Sequence, residues 1–407
     1  VNETMPISWQ ATGTIGYVKL NYTANNGLDN YPYSILNATG GTYFNSSDSY
    51  DWTIPESAQI SEQVKIKVWA VNDPENITDS STGSLSIRGK LNLTSPNGGE
   101  VWQVGTNQTI SWIRTGTNLG NISIKYSDNN GTSYNYTIVS SIDSGSPYEY
   151  TWTIPDVMAE NPSVRFDKMK VKIASVNTPN YTYDESDDPF YIVPKIEITR
   201  PDLYNRTFYV DDNESVTWTT EGTLDYVNIY YSSNNGTNWT QIANQYLNNG
   251  SYLWQVPNFI NGNNKLKVCS YYDPDTPEAC DISLNFTIKP KIVLVYPVGG
   301  EHLYVEDTCQ IQWEPHGTLG TVEIKYSNDS GLSWSTIASN LSGTSYNWTV
   351  PDDMGQNNKK IRVSSEIYPE VNATSDLFSI HGIINVTKPE GNQNVVANST
   401  DTPIRWT

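Results

Sequence analysis

Chemistry needs side chains that titrate, ligate or attack, and this sequence offers few of them. Its 407 residues include three His (His302, His316, His381) and three Cys. No Ser/His/Asp set, carboxylate pair or Cys/His metal spacing stands out, so general-base work and His-ligated metals begin with few candidates. No catalytic residue and no cofactor are expected. Acidic clusters at Asp184–Asp188, Asp211–Glu214, Asp273–Glu278 and Asp352–Asp353 are the candidate oxygen ligands. None has the spaced ligands and Gly of an EF-hand loop; they read as solvated loops, with calcium at a domain junction as the alternative.

Cys269 and Cys280 flank VCSYYDPDTPEAC, which reads as a hairpin closed by a cross-strand disulfide. Their alternation phases disagree. Cys269 falls on the outward set beside Val268, while Cys280 shares parity with Ile282, Leu284 and Phe286. A bulge would reconcile them. Cys309 shares parity with Ile311 and Trp313 and reads as a buried small hydrophobe.

The abundant reactive group is the Asn amide. Asn-x-Ser/Thr, with x not Pro, occurs 23 times among 44 Asn, where composition alone gives roughly nine. The candidate N-glycosylation sites are Asn21, Asn37, Asn45, Asn76, Asn92, Asn107, Asn121, Asn135, Asn180, Asn205, Asn238, Asn285, Asn340, Asn347, Asn372 and Asn385. Asn92, Asn285 and Asn347 each sit between apolar neighbours, so strand alternation turns them outward, where a glycan clears the core. Aromatic rings offer a second chemistry, stacking on sugars. Nine of the 13 Trp, however, occupy two recurring landmarks that a core would claim, leaving Trp69 and the pair Tyr271–Tyr272 as the main exceptions.

Those landmarks show what positions these groups. A β-branched residue, a polar residue and Trp recur at Ile7–Trp9, Ile110–Trp112, Val216–Trp218, Ile311–Trp313 and Ile404–Trp406. Gly-bearing turns end at Gly27, Gly131, Gly236 and Gly331. YDWTIP, YTWTIP, YLWQVP and YNWTVP begin at Tyr50, Tyr150, Tyr252 and Tyr346, and runs such as VKIKV (Val64–Val68) and MKVKI (Met169–Ile173) follow. Period-two alternation marks strands with one buried face, and the Asn-Gly turns supply positive φ. No stretch shows a convincing 3.6-residue period. Units of roughly 100 residues with short strands predict an all-β chain of tandem Ig-like antiparallel sandwiches. The expected domains are 1–89 (first strand missing), 90–195, 196–290 and 291–382, with 383–407 as the opening strands of a further unit. Junctions of two or three residues, two of them with Pro, predict stiff connections and a rod.

SPNGGEVWQVGTNQTISW (Ser95–Trp112) with YTWTIP, and YPVGGEHLYVEDTCQIQW (Tyr296–Trp313) with YNWTVP, resemble the Ig-like domain of the Ser/Thr-rich, GPI-anchored fungal cell-wall family. Similar modules occur in large bacterial and archaeal surface proteins. The resemblance covers all four units, most weakly at Arg200–Phe208, where Gly-Gly-Glu is lost. It implies an extracellular structural module with no catalytic residues. Dense sequons with few Cys resemble an archaeal surface protein more than a disulfide-stapled animal one. SDNNGTSY (Ser127–Tyr134), SSNNGTNW (Ser232–Trp239) and SNDSGLSW (Ser327–Trp334) are similar to the Asp-box of sialidase blades, which is a folded turn and not a catalytic element.

A net charge of −20 argues against a phosphate-backbone partner and disfavours an anionic membrane. No apolar run approaches the roughly 18–20 residues of a membrane span. The chain opens without Met or a secretory apolar region and reads as a mature or excised piece. Its ends allow two readings: a window on a longer array, or donation of Ile383–Val396 into the first unit of a second copy, giving head-to-tail association. The expected function is a non-enzymatic, heavily N-glycosylated subunit of an extracellular filament or surface layer. The alternatives are an adhesin or polysaccharide-binding stalk, and a noncatalytic spacer of a large secreted enzyme.

Overall fold

A computed structural model describes residues 2–46, 49–116, 119–145, 147–157, 168–201, 206–388 and 405–406. The named elements of these residues are β-strands and one 3-10 turn, Pro277–Ala279. Contacts divide the chain into two units, one built mainly from Val1–Lys195 and the other mainly from Ile196–Thr407.

The second sandwich shows the plan. One sheet orders Glu149–Thr153, Asn107–Thr115 and Lys90–Ser95; the other orders Tyr136–Asp143, Asn121–Ser127, Lys170–Ser175 and Tyr183–Glu185. Pairing within both sheets is antiparallel. A short parallel pair, Val101–Gln103 with Tyr191–Val193, closes one edge. Alternation delivers Ile110 and Trp112 from one sheet and Ile122, Ile124, Val171 and Ile173 from the other into one core, which Trp152 and Phe190 complete. Trp112 is 2% exposed, so the repeated Ile-Ser-Trp landmark is a core anchor.

The fourth sandwich repeats this order with Lys291–Tyr296, Thr308–His316 and Ser345–Thr349 facing Val322–Ser327 and Gly355–Ser365. The third has the same two sheets and the same parallel edge, Arg206–Tyr209 with Phe286–Lys289. In the first, one sheet is the pair Thr4–Ser8 and Ser49–Thr53. Asn107–Thr115 runs past its Trp because Lys90–Ser95 pairs with that half. Thr4–Ser8 stops before Trp9, where the described residues hold no such partner, and Trp9 is only half-buried.

Within the first unit, Ile60 of the first sandwich packs against the core of the second. A Cβ on Gly89 would lie 2.4 Å from the Leu119 Cδ1 and 2.8 Å from the Ile60 Cδ1, so a larger residue at this junction would have to push those side-chain ends aside. Val386–Lys388 pairs antiparallel with Arg405–Trp406, Val386 opposite Trp406, much as Leu294 faces Trp313. Of the candidate donor segment, Val386–Lys388 is thus paired with the chain's own Arg405–Trp406. Residues 389–396 of that segment lie outside the described residues.

Candidate functional site

At each Gly-bearing turn a buried hydroxyl organises the loop. Ser127 Oγ accepts the Gly131 N–H (2.9 Å) and Asn129 Oδ1 accepts the Ser133 N–H (3.0 Å). Ser232 with Asn234 and Ser327 with Asp329 make the same bonds. Thr23 and Asn25 take these places in the first sandwich, where Asn25 Oδ1 accepts the Asp29 N–H. Positive φ at Asn26, Asn130, Asn235 and Ser330, followed by Gly, completes the turn.

Rings from these loops fold back and meet a cation. Tyr31, Tyr134, Trp239 and Trp334 lie against the turn glycines. Lys67 sits 5.6 Å from the Tyr31 ring centre, Lys172 5.4 Å from Tyr134, Lys267 5.0 Å from Trp239 and Arg362 4.1 Å from Trp334. Each cation is an outward residue of the alternating run, so strand parity aims it at the loop. A second ring joins in three cases: Trp69, Tyr183 and Tyr230. Trp69, singled out in the sequence as a sugar platform, is therefore already engaged by Lys67. Tyr272 is 46% exposed, and Tyr271 meets both it and Tyr226 edge-on.

The Gly-Gly-Glu motif is a self-capped turn. Glu100 accepts the N–H groups of Asn97 and Gly98 at 2.8 Å, and Glu301 accepts those of Val298 and Gly299 at 2.7 and 2.8 Å. Charge-assisted bonds of this kind fix the loop firmly.

A fourth recurring group carried no signal in the sequence reading. Ser81, Ser186, Ser283 and Ser375 each accept a strand N–H, from Ile66, Val171, Leu266 and Ile361, at 2.9–3.2 Å. Each returns its own N–H to the carbonyl of the same residue. Ser186, Ser283 and Ser375 mark where the chain leaves one sheet for the parallel edge pair, whereas the strand after Ser81, Leu85–Ile87, pairs antiparallel with Ser61–Ala70. Each Ser stands 14 to 17 residues after the strand residue it bonds, a spacing too variable to read as a local pattern.

That break corrects the parity reading of the cysteines. Cys269 and Cys280 are joined by a disulfide and are direct register partners, with no bulge. Ile282 and Leu284 are about half exposed while Phe286 is fully buried. Alternation does not run from Cys280 to Phe286, because one strand ends at Ile282 and the next begins at Phe286. For the same reason Asn285 is half-buried, with Oδ1 enclosed, and does not stand clear on a strand face.

Of the other candidate glycan sites, Asn45, Asn76, Asn92, Asn107, Asn121, Asn135, Asn180, Asn238, Asn340, Asn347, Asn372 and Asn385 are exposed. Asn21 and Asn37 are half-buried, and both amides are bonded to backbone, Asn21 Nδ2 to Tyr31 O and Asn37 Nδ2 to Tyr43 O. Asn205 lies outside the described residues.

Residues of three acidic clusters, Asp184–Asp188, Asp211–Glu214 and Asp352–Asp353, are engaged by the protein itself. Asp184 accepts the Leu93 N–H, and Asp281, which lies beyond the Asp273–Glu278 cluster, accepts that of Ile198. Asp211 faces His316 Nδ1 at 3.1 Å, Asp212 pairs with Lys291, and Glu214 pairs with Arg200. Asp353 holds Lys359 (3.1 Å) and accepts the Tyr326 hydroxyl (2.9 Å). Burial, then the bond to Asp353, pushes the Tyr326 hydroxyl far above its ordinary range. Among the described residues no group of three or more His, Cys, Asp or Glu side chains is placed to hold a metal ion. Cys309 is 5% exposed, and burial with the nearby Glu301 charge pushes its thiol up to about 11.

No family model matches the chain, and no curated protein matches it. Similar solved structures include immunoglobulin domains 1–5 of Sidekick-1 (10% identity, TM-score 0.23, covering 94% of this chain and 78% of that one). They also include the three N-terminal domains of the highly immunogenic outer capsid protein of bacteriophage RB49 (13%, TM-score 0.22, 72% and 99%). Fibronectin(III)-like modules of Clostridium thermocellum CbhA are a third (13%, TM-score 0.16, 49% and 100%). The Ig-like fold itself rests on the strand pairing of each sandwich. Among the described residues no helix is long and apolar enough to cross a membrane.

Proposed function

We propose that this chain is a non-enzymatic structural module of an extracellular filament or surface coat, carrying N-linked glycans and associating head to tail. One observation carries the reading. The polar groups that recur from sandwich to sandwich close turns, cap strand ends or pair with neighbouring charges, so what has been multiplied is scaffold. The exposure of Asn92, Asn347 and ten further sequon amides supports the glycoprotein part. The likeness of the Gly-Gly-Glu and YTWTIP segments to wall-associated modules belongs to the same reading.

Immunogold labelling of intact source cells tests it. Label in regular arrays or filaments outside the membrane is expected; label confined to the cell interior contradicts it. An adhesive role is the second reading, favoured by the small cleft of about 150 Å³ that Trp9, Ile15, Trp69 and Ile77 line in the first sandwich. Glycan-array binding abolished by Trp69→Ala would select that role over a purely structural one.

A further inference from the structure

Two of the three histidines in the chain lie side by side. In the fourth sandwich His302–Tyr304 runs parallel to Phe378–His381, with His302 opposite Ser379 and Tyr304 opposite His381. Leu303 and Ile380 turn into the core. Their neighbours along each strand therefore share the outer face. This register brings three heteroatoms into a triangle. His302 Nδ1 is 3.0 Å from His381 Nε2 and 2.7 Å from Ser379 Oγ, and Ser379 Oγ is 2.8 Å from His381 Nε2. The imidazoles meet edge to face, with centroids 5.0 Å apart and planes at 70°, so they are not stacked. Both rings are exposed, while Ser379 is 5% exposed and forms the floor.

The corresponding positions of the other sandwiches carry different chemistry. Aligning the buried pair Leu303 and Ile380 with Trp102 and Ile192 puts Val101 and Val193 in place of the histidines. Aligning it with Phe208 and Ile288 puts Thr207 and Lys289 there. The strand pairing does not require two rings at this spot. His316, by contrast, is held by Asp211. The carboxylate of Glu301 is turned to the Val298 and Gly299 N–H groups.

We propose that His302 and His381 form a surface site for a divalent transition-metal ion, with Cu²⁺ the preferred occupant and Ser379 Oγ at its inner edge. Neutral imidazole nitrogens ligate Cu²⁺, Ni²⁺ and Zn²⁺, and for a given site affinity peaks at Cu²⁺. Ligands roughly 2.1 Å from an ion lie about 3.0 Å apart at right angles and about 3.4 Å apart at the tetrahedral angle. The edges of 2.7–3.0 Å found here, hydrogen-bond lengths in the ion-free arrangement, lie nearer the right-angled spacing than the tetrahedral one. That geometry belongs to tetragonal Cu²⁺ or Ni²⁺ and not to tetrahedral Zn²⁺. The remaining positions open to solvent, where water or a donor from outside the chain completes the shell.

Isothermal titration of the full chain with Cu²⁺, Ni²⁺ and Zn²⁺ in a non-chelating buffer tests the site, together with electron paramagnetic resonance at one equivalent of Cu²⁺. The expected result is one saturable equivalent, tightest for Cu²⁺, with coupling to two nitrogens. His302→Ala and His381→Ala each weaken it at least tenfold, while His316→Ala leaves it unchanged. The acidic surface collects cations weakly, so the variants and not the bulk uptake decide. A wild-type chain without a saturable step, or a step that survives both substitutions, overturns the proposal. His302→Gln, which keeps a polar side chain of similar reach, gives the same loss if His302→Ala lowers the thermal transition.

Discussion

Asp329 shows how one side chain can be read against its siblings. Bonds from the Ser333 hydroxyl and N–H, then from Ser327, hold its carboxyl down to about 2, below the ordinary 3.8. The folded value is depressed, so its contribution is complete above about pH 4 and is lost as pH falls toward 2. Asn129 and Asn234 occupy the same place in the second and third sandwiches and do not titrate. Asp329→Asn is therefore expected to keep the turn and flatten the acid dependence of the fourth sandwich, as read by thermal melts between pH 2 and 5. An unchanged profile would detach the carboxyl from that dependence. Ser283 supports a second prediction at this scale. Removing its hydroxyl in Ser283→Ala leaves the buried Leu266 N–H without its 2.9 Å acceptor, at a cost of about 1–3 kcal/mol in the unfolding of the third sandwich. Cys309, buried and with its thiol pushed up to about 11, should stay unreactive toward maleimide at pH 7.5 until the fourth sandwich unfolds.

Elements explain which parts of this architecture were legible in the sequence. Strands with one buried face, such as Lys170–Ser175, write their parity directly into Val171 and Ile173, and the Trp landmarks mark the same core four times. Parity failed where the chain changes sheets. Ile282 and Phe286 have the same parity but opposite exposure, because one strand ends at Ile282 and another opens at Phe286. A hydroxyl that accepts an N–H across the sheet has no local pattern to betray it. The same holds for the cation–ring contacts and the histidine pair, which depend on register between strands far apart in the chain. The Gly-Gly-Glu turn lies between these cases: the motif was visible, its cause was not. Gly299 has φ +126°, and a Cβ there would meet the Asp376 Cβ at 2.4 Å and its Cα at 2.9 Å. Gly299→Ala should destabilise the fourth sandwich by about 2–3 kcal/mol, measured as a shift of its chemical denaturation midpoint. A shift within error would show that the loop can yield.

At the scale of the whole molecule, a net charge of −20, a repeated sandwich and an excess of sequons support the proposed surface role. Acidity repels like neighbours and the proposed glycans would add to that, so the proposed head-to-tail association calls for shaped contacts at the ends or edges of the sandwiches. The most direct measurement is the intact mass of the protein taken from its native source, followed by peptide mapping. The account expects a mass well above the 45.6 kDa of these 407 residues, with sugar on several exposed amides, Asn92 and Asn347 among them. Unmodified peptides at every one of these sequons would contradict it.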